Sequence, residues 1–117
     1  MLERFAGGQL SLFAPSQIRY EVASAITVAT SGGQTRLSVE LGRQAVQKFL
    51  SLGLRLVDDD ELIVNAYDLV HRYSCTLYDA LYLALSQRLQ IPLLIADRRL
   101  HQRIGQLPEV VWIADYS

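Results

Sequence analysis

Three acidic residues stand where an α/β chain can bring distant side chains together: Glu21, Asp79 and Asp97. Asp97 is the first residue past the apolar run Leu93-Leu94-Ile95-Ala96, which reads as a buried parallel strand. Asp79 opens a strongly apolar helix, to Leu89, that leads back to that strand. Glu21 lies in the first turns of the helix after a short strand, Leu10–Phe13. In an open sheet of parallel strands a helix that follows a strand starts at the strand's carboxyl edge. A helix that precedes a strand starts there too, because it runs antiparallel to it, and ligand sites lie at this edge. The three acids are therefore expected to point at one place, with Glu21 about one helical turn below the edge at ~1.5 Å rise per residue.

Clustered carboxylates repel one another, so their ionised forms need a compensating cation. Hard oxygen ligands suit Mg²⁺ or Mn²⁺. A cation held in this way is suited to phosphate chemistry, where it activates water, neutralises the phosphate and stabilises the leaving oxygen. Each acid also has an ordinary explanation. Glu21 suits the positive end of a helix, Asp79 closes a capping box with Thr76, and Asp97 caps the helix that follows it. Their expected convergence favours a site over three separate coincidences. The run Ala80 to Leu85 adds weight, because a helix with almost no polar face is buried and a charge at its start needs a partner.

The elements that must position these acids can be read along the chain. Met1 to Ala6 reads as the tail of a helix stopped by Gly7-Gly8, and Leu10–Phe13 as a strand stopped by Ala14-Pro15. Ser16 is the expected cap of the helix carrying Ile18, Val22, Ala25, Ile26 and Ala29, which Gly32-Gly33 ends. Thr35 is the expected cap of a second helix with Leu37, Leu41, Ala45, Phe49 and Leu52 on one stripe, ended by Gly53. Leu54–Val57 reads as a strand, and Asp58-Asp59-Asp60-Glu61 as the solvated acidic start of the next helix. Arg98 to Ile104 reads as a short Arg-rich helix and Val110–Ile113 as a last strand. Strands alternating with helices predict a mainly parallel sheet with helices on both faces.

The 117 residues fit a single domain spanning 1–117. Half of them are hydrophobic, enough for a core. Eleven basic residues against twelve acidic ones argue against a protein that coats polyanions generally, but not against a nucleic-acid enzyme with a local basic patch. Lys48 is the only lysine, and arginine suits bidentate phosphate contacts. Arg98, Arg99 and Arg103 could track a nucleic-acid backbone or form an exposed helix face. His71 and His101 lack a Cys or acid at ligand spacing. Trp112 and the tyrosines read as packing, and the single Cys75 as a small apolar residue in a reducing compartment. The amino end does not read as a signal peptide, and no apolar run reaches membrane-spanning length.

Three segments together resemble the PIN domain family, closest to the toxin component of VapBC-type toxin–antitoxin systems. They are Ala14-Pro15 with Tyr20-Glu21-Val22-Ala23, Thr76-Leu77-Tyr78-Asp79-Ala80-Leu81-Tyr82-Leu83-Ala84-Leu85, and Leu94-Ile95-Ala96-Asp97-Arg98-Arg99-Leu100. The resemblance covers nearly the whole chain. It implies a three-layer α/β/α fold and a Mg²⁺-dependent endoribonuclease acting on tRNA or other structured RNA. Glu21, Asp79 and Asp97 match three of the family's acidic positions. It also implies a homodimer and an antitoxin partner that occupies the active-site groove, while the single cysteine suits a cytoplasmic setting.

The chain departs from the family at its start. The family begins with a strand ending in an essential Asp, whereas no Asp precedes Asp58 here. By resemblance the absent strand is the central one, so Leu10–Phe13 and Leu93–Ala96 are expected to lack their shared neighbour. A start lying upstream, a strand supplied by a partner, or loss of catalysis would each account for this. Cleavage by the chain as it stands is expected to be impaired, since removing a metal carboxylate weakens magnesium binding.

Two other classes compete with a nuclease. A non-catalytic domain that binds RNA or an antitoxin is favoured by the missing acid. A phospho-acceptor receiver domain also has a small doubly wound fold and would use Asp58-Asp59-Asp60, but it needs a lysine near a late strand, and Lys48 lies on an early helix. A dinucleotide enzyme is excluded, because no Gly-x-Gly-x-x-Gly follows a strand.

Overall fold

From the amino end, Leu2–Arg4 forms strand β1 and Leu10–Pro15 strand β2, followed by helices α1 (Ile18–Ala29) and α2 (Val39–Leu50) and strand β3 (Arg55–Val57). A 3₁₀ turn at Asp59–Glu61 leads into α3 (Ile63–Tyr73) and α4 (Leu77–Leu89). Strand β4 (Leu93–Ile95), α5 (Arg98–Ile104) and β5 (Val110–Trp112) complete the chain. This computed structural model describes residues 2–4, 10–32 and 36–113.

The fold is α/β, as the alternation of elements predicts. β2 pairs in parallel with β3, in the register Phe13↔Arg55 to Pro15↔Val57. β4 pairs in parallel with β5, in the register Leu93↔Val110 to Ile95↔Trp112. The strands do not join into one sheet. β1-β2-β3 and β4-β5 form two, with no ladder between β2 and β4 among the described residues.

β1 corrects the sequence reading, which took Met1 to Ala6 as the tail of a helix. Leu2–Arg4 instead runs antiparallel to β2, from Leu2↔Leu12 to Arg4↔Leu10. The reason is the open edge of β2: its backbone donors and acceptors need partners, and a returning segment supplies them. The stop expected at Gly7-Gly8 lies outside the described residues. β2 also runs on to Pro15, where the missing proline N–H is harmless at the strand's end and Ser16 N–H continues the ladder to the Val57 carbonyl at 2.9 Å.

The core is built around α4. Ala80, Leu81, Leu83, Ala84, Leu85 and Ser86 are all buried on it, so it is enclosed on nearly every side. It packs on α3, β2 and β4 and so touches both sheets. Each buried leucine contributes roughly 1.5–3 kcal/mol. Ser86 is satisfied by donating to the Ile91 carbonyl at 2.6 Å. Leu62, Ala66 and Leu69 before and on α3, Leu93 and Ile95 on β4, and Leu100 and Ile104 on α5 complete the core.

The α1–α2 pair is different. α1 carries no buried residue and α2 only Gly42, while Val28, Val39 and Leu50 are exposed. Gln17, not Ser16, is the residue before α1, and it makes no side-chain cap. Ser38 caps α2 by accepting from the Leu41 N–H, while Thr35, the expected cap, lies outside the described residues. No helix among the described residues is long and apolar enough to cross a membrane.

Candidate active site

Thr76 sets the direction of α4. Its extended backbone turns the chain into the helix, and its Oγ1 accepts from the Asp79 N–H at 3.1 Å. That bond fixes Asp79 in the first turn, with its carboxylate half-buried. At the far end of β4, Asp97 caps α5: one carboxylate oxygen, Oδ1, accepts from the N–H groups of Arg99 at 2.8 Å and Leu100 at 3.4 Å. The ordinary capping roles and a site are compatible here. Asp79 is held through its backbone, and Asp97 uses one oxygen of two.

The two acids, separated along the chain by a helix and a strand, line one pocket of about 360 Å³. Thr76, Cys75, Arg99 and Arg103 share it. Among the described residues neither guanidinium has a carboxylate within 4 Å. The pocket therefore presents carboxylates and cationic groups side by side, able to meet both a cation and a phosphate. Burial pushes the Cys75 thiol above its ordinary pKa, and the negative charge of Asp79 adds to this while Arg103 opposes it. Cys75 therefore stays a neutral wall of the pocket.

Glu21 is placed differently. It lies exposed on α1, and its Oε1 accepts from the Tyr82 hydroxyl at 2.5 Å. Tyr82 follows Asp79 by three residues on α4, so Glu21 is held about one turn from Asp79, outside the residues that line the pocket. Burial pushes the Tyr82 phenol well above its usual pKa. The bond to Glu21 and the charges of Glu21, Asp59 and Asp79 push it further.

Asp59, which the sequence reading placed in the solvated acidic start of the next helix, has defined partners. Its Oδ1 accepts from the Gln17 N–H and its own N–H donates to Ser16 Oγ, each at 3.3 Å, a reciprocal clamp between the 3₁₀ turn and the start of α1. The signal was available: Asp58-Asp59 directly follows β3, at the same kind of carboxyl edge that singled out Asp97. Gln17 is buried beside this clamp and donates from Nε2 to the Tyr78 carbonyl at 2.9 Å. Its Oε1 has no partner among the described residues.

Arg98 and Arg99 part company on α5. Arg99 lines the pocket with the acids, whereas Arg98 lines a second pocket with His101, Gln102 and Trp112. Among the described residues no three His, Cys, Asp or Glu side chains lie close enough together to hold a metal ion.

The family model described as PIN domain matches residues 3–106, and the chain belongs to the PIN domain family. A solved structure described as a toxin–antitoxin complex from Klebsiella pneumoniae is similar at 19% identity and a TM-score of 0.48. The similarity covers 75% of this chain and spans 64% of the length of that one. No curated protein matches the sequence.

Proposed function

We propose that this PIN domain is a metal-dependent ribonuclease fold whose phosphodiester chemistry centres on Asp79 and Asp97, with cleavage impaired in the chain as it stands. The observation that carries the reading is the shared pocket of Asp79 and Asp97 with Arg99 and Arg103 alongside. Magnesium keeps several waters and is commonly bound by one or two carboxylates together with substrate phosphate, so this donor pair fits Mg²⁺ or Mn²⁺. A cation bound there supplies an activated water and neutralises phosphate charge. Arg99 and Arg103 hold the RNA backbone, and Arg98 adds a contact on the other side of α5. Glu21, the third acid of the family pattern, orients the site from the Tyr82 bond instead of completing a three-carboxylate group.

The sequence reading extends this proposal to a cytoplasmic toxin that forms a homodimer and is neutralised by an antitoxin. A second reading, a domain that binds RNA without cutting it, is favoured by the engagement of Glu21 with Tyr82 outside the pocket.

The deciding test is cleavage of a mixed tRNA substrate in Mg²⁺ or Mn²⁺, with EDTA and Asp79→Asn controls, beside an RNA-binding measurement. Slow cleavage abolished by both controls is the expected result. Binding without any cleavage, even in Mn²⁺, replaces the nuclease reading with the binding one. Neither binding nor cleavage overturns both.

A further inference from the structure

The second pocket on α5 has a construction of its own. It is an open depression of about 330 Å³ lined by Arg98, His101, Gln102 and Trp112. The spacing of Arg98, His101 and Gln102 puts all three on one face of α5, and Arg99 and Arg103 on another. The β4–β5 register sets Trp112 level with Ile95, two residues before Asp97. Both pockets thus open at the carboxyl edge of the same strand pair, on either side of one helix.

The rings in this pocket are held in place. The His101 imidazole meets the Trp112 indole edge-on, with centroids 5.1 Å apart and planes at 62°. The ring also lies close to Gly105, where an added Cβ would lie 2.8 Å from both Cδ2 and Nε2 of the ring. The result is two fixed aromatic surfaces with a guanidinium and a carboxamide beside them.

The geometry points to a nucleobase subsite: one base of an RNA strand stacks on Trp112 with the inclined His101 ring against its side, while Arg98 and Gln102 bond its edge. Stacking on aromatic side chains is the sequence-tolerant means by which proteins hold single-stranded bases, and unstacked RNA offers both ring faces and hydrogen-bonding edges. Gln102 can donate and accept, whereas Arg98 only donates, so the pair suits a base edge bearing a carbonyl or ring-nitrogen acceptor. The base belongs to a nucleotide flanking the phosphate at Asp79 and Asp97, because α5 separates the two pockets. The inference takes its substrate class from the ribonuclease reading above, but the subsite needs neither metal nor cleavage.

Trp112 is the only tryptophan in the chain, so its fluorescence reports this pocket alone. The full chain is titrated with AMP in EDTA, with ribose 5-phosphate as control and RNA cleavage assayed in parallel. Saturable quenching by AMP and none by ribose 5-phosphate at the same concentrations is expected. His101→Ala and Arg98→Ala each raise the half-saturating AMP concentration at least about fivefold, or about 1 kcal/mol at 1.4 kcal/mol per tenfold. Arg98 is exposed at the start of α5, so its truncation leaves the fold intact if His101→Ala does not. No quenching by AMP, equal quenching by ribose 5-phosphate, or half-saturation unchanged in Arg98→Ala overturns the subsite. Cleavage without AMP quenching sinks the subsite and leaves the nuclease; AMP quenching without cleavage does the reverse.

Discussion

The Tyr82 hydroxyl donates to Glu21 Oε1 at 2.5 Å, tying an exposed acid on α1 to the enclosed helix α4. The bond crosses between the two differently built halves of the molecule, and it favours the protonated phenol. Above about pH 10 an unfolded tyrosine loses its proton while Tyr82 keeps it. The unfolded state then binds fewer protons, so stability falls as pH rises. The contribution is present in full below about pH 10 and is lost above it. Urea titrations at about pH 9 and pH 11 should show a smaller alkaline loss for Tyr82→Phe than for the parent chain. An identical loss in both would show that Tyr82 is not the group responsible.

Asp97 joins two roles that a pair of substitutions separates. Asparagine caps helices about as well as aspartate, whereas alanine lacks the acceptor. Asp97→Asn should keep its melting temperature within a degree or two of the parent's yet bind Mn²⁺ at least about tenfold more weakly, a loss of about 1.4 kcal/mol. Asp97→Ala should lose the same affinity and in addition about 1 kcal/mol of stability. Calorimetry of Mn²⁺ binding beside thermal melts checks both. Undiminished affinity in Asp97→Asn would remove Asp97 from the site.

Leu83 is fully buried in α4, and Leu83→Ala should cost about 2–5 kcal/mol, because the enclosing elements cannot collapse into the space. Glu61 offers the contrast. Its ion pair with Arg88 at 3.0 Å is exposed, and Glu61→Gln should cost no more than about 1 kcal/mol. Urea midpoints of the two variants set them apart, and comparable midpoints would mean that α4 is not the centre of the core.

Gly105 supports the His101 ring, and a Cβ there would also press on the His101 carbonyl oxygen. Gly105→Ala should therefore move the imidazole off Trp112 and shift the indole emission of the folded protein. An unchanged emission spectrum would mean that the ring pair does not depend on this contact.

Much of the carboxyl-terminal half was legible in the sequence. The apolar run of α4, the Thr76 cap, the strand Leu93–Ile95 and the cap at Asp97 are local patterns whose residue types allow few alternatives. The remainder depended on contacts between distant segments. Three residues, Leu2-Glu3-Arg4, are too short to show a strand's alternation, and only the open edge of β2 makes them one. The place of the acidic run directly after β3 was a signal, but nothing within the run marks Asp59 as the member that meets Ser16 and Gln17. His101 read as a lone histidine without ligand spacing and Trp112 as packing, and the pocket they share depends on the β4–β5 register. The expectation that three acids meet rested on an edge rule for one continuous sheet; here two share a pocket and the third faces Tyr82.

That division has a consequence for motion. Amides in α3 and α4 should exchange with solvent only when the whole core opens, because the buried side chains are concentrated there. α1 has no buried residue to hold it and should open locally many times before the core does once. Asp79 and Asp97 thus ride on the hard half of the molecule and Glu21 on the soft half, so a fluctuation of α1 removes one carboxylate from the neighbourhood while the pocket of the other two stays intact.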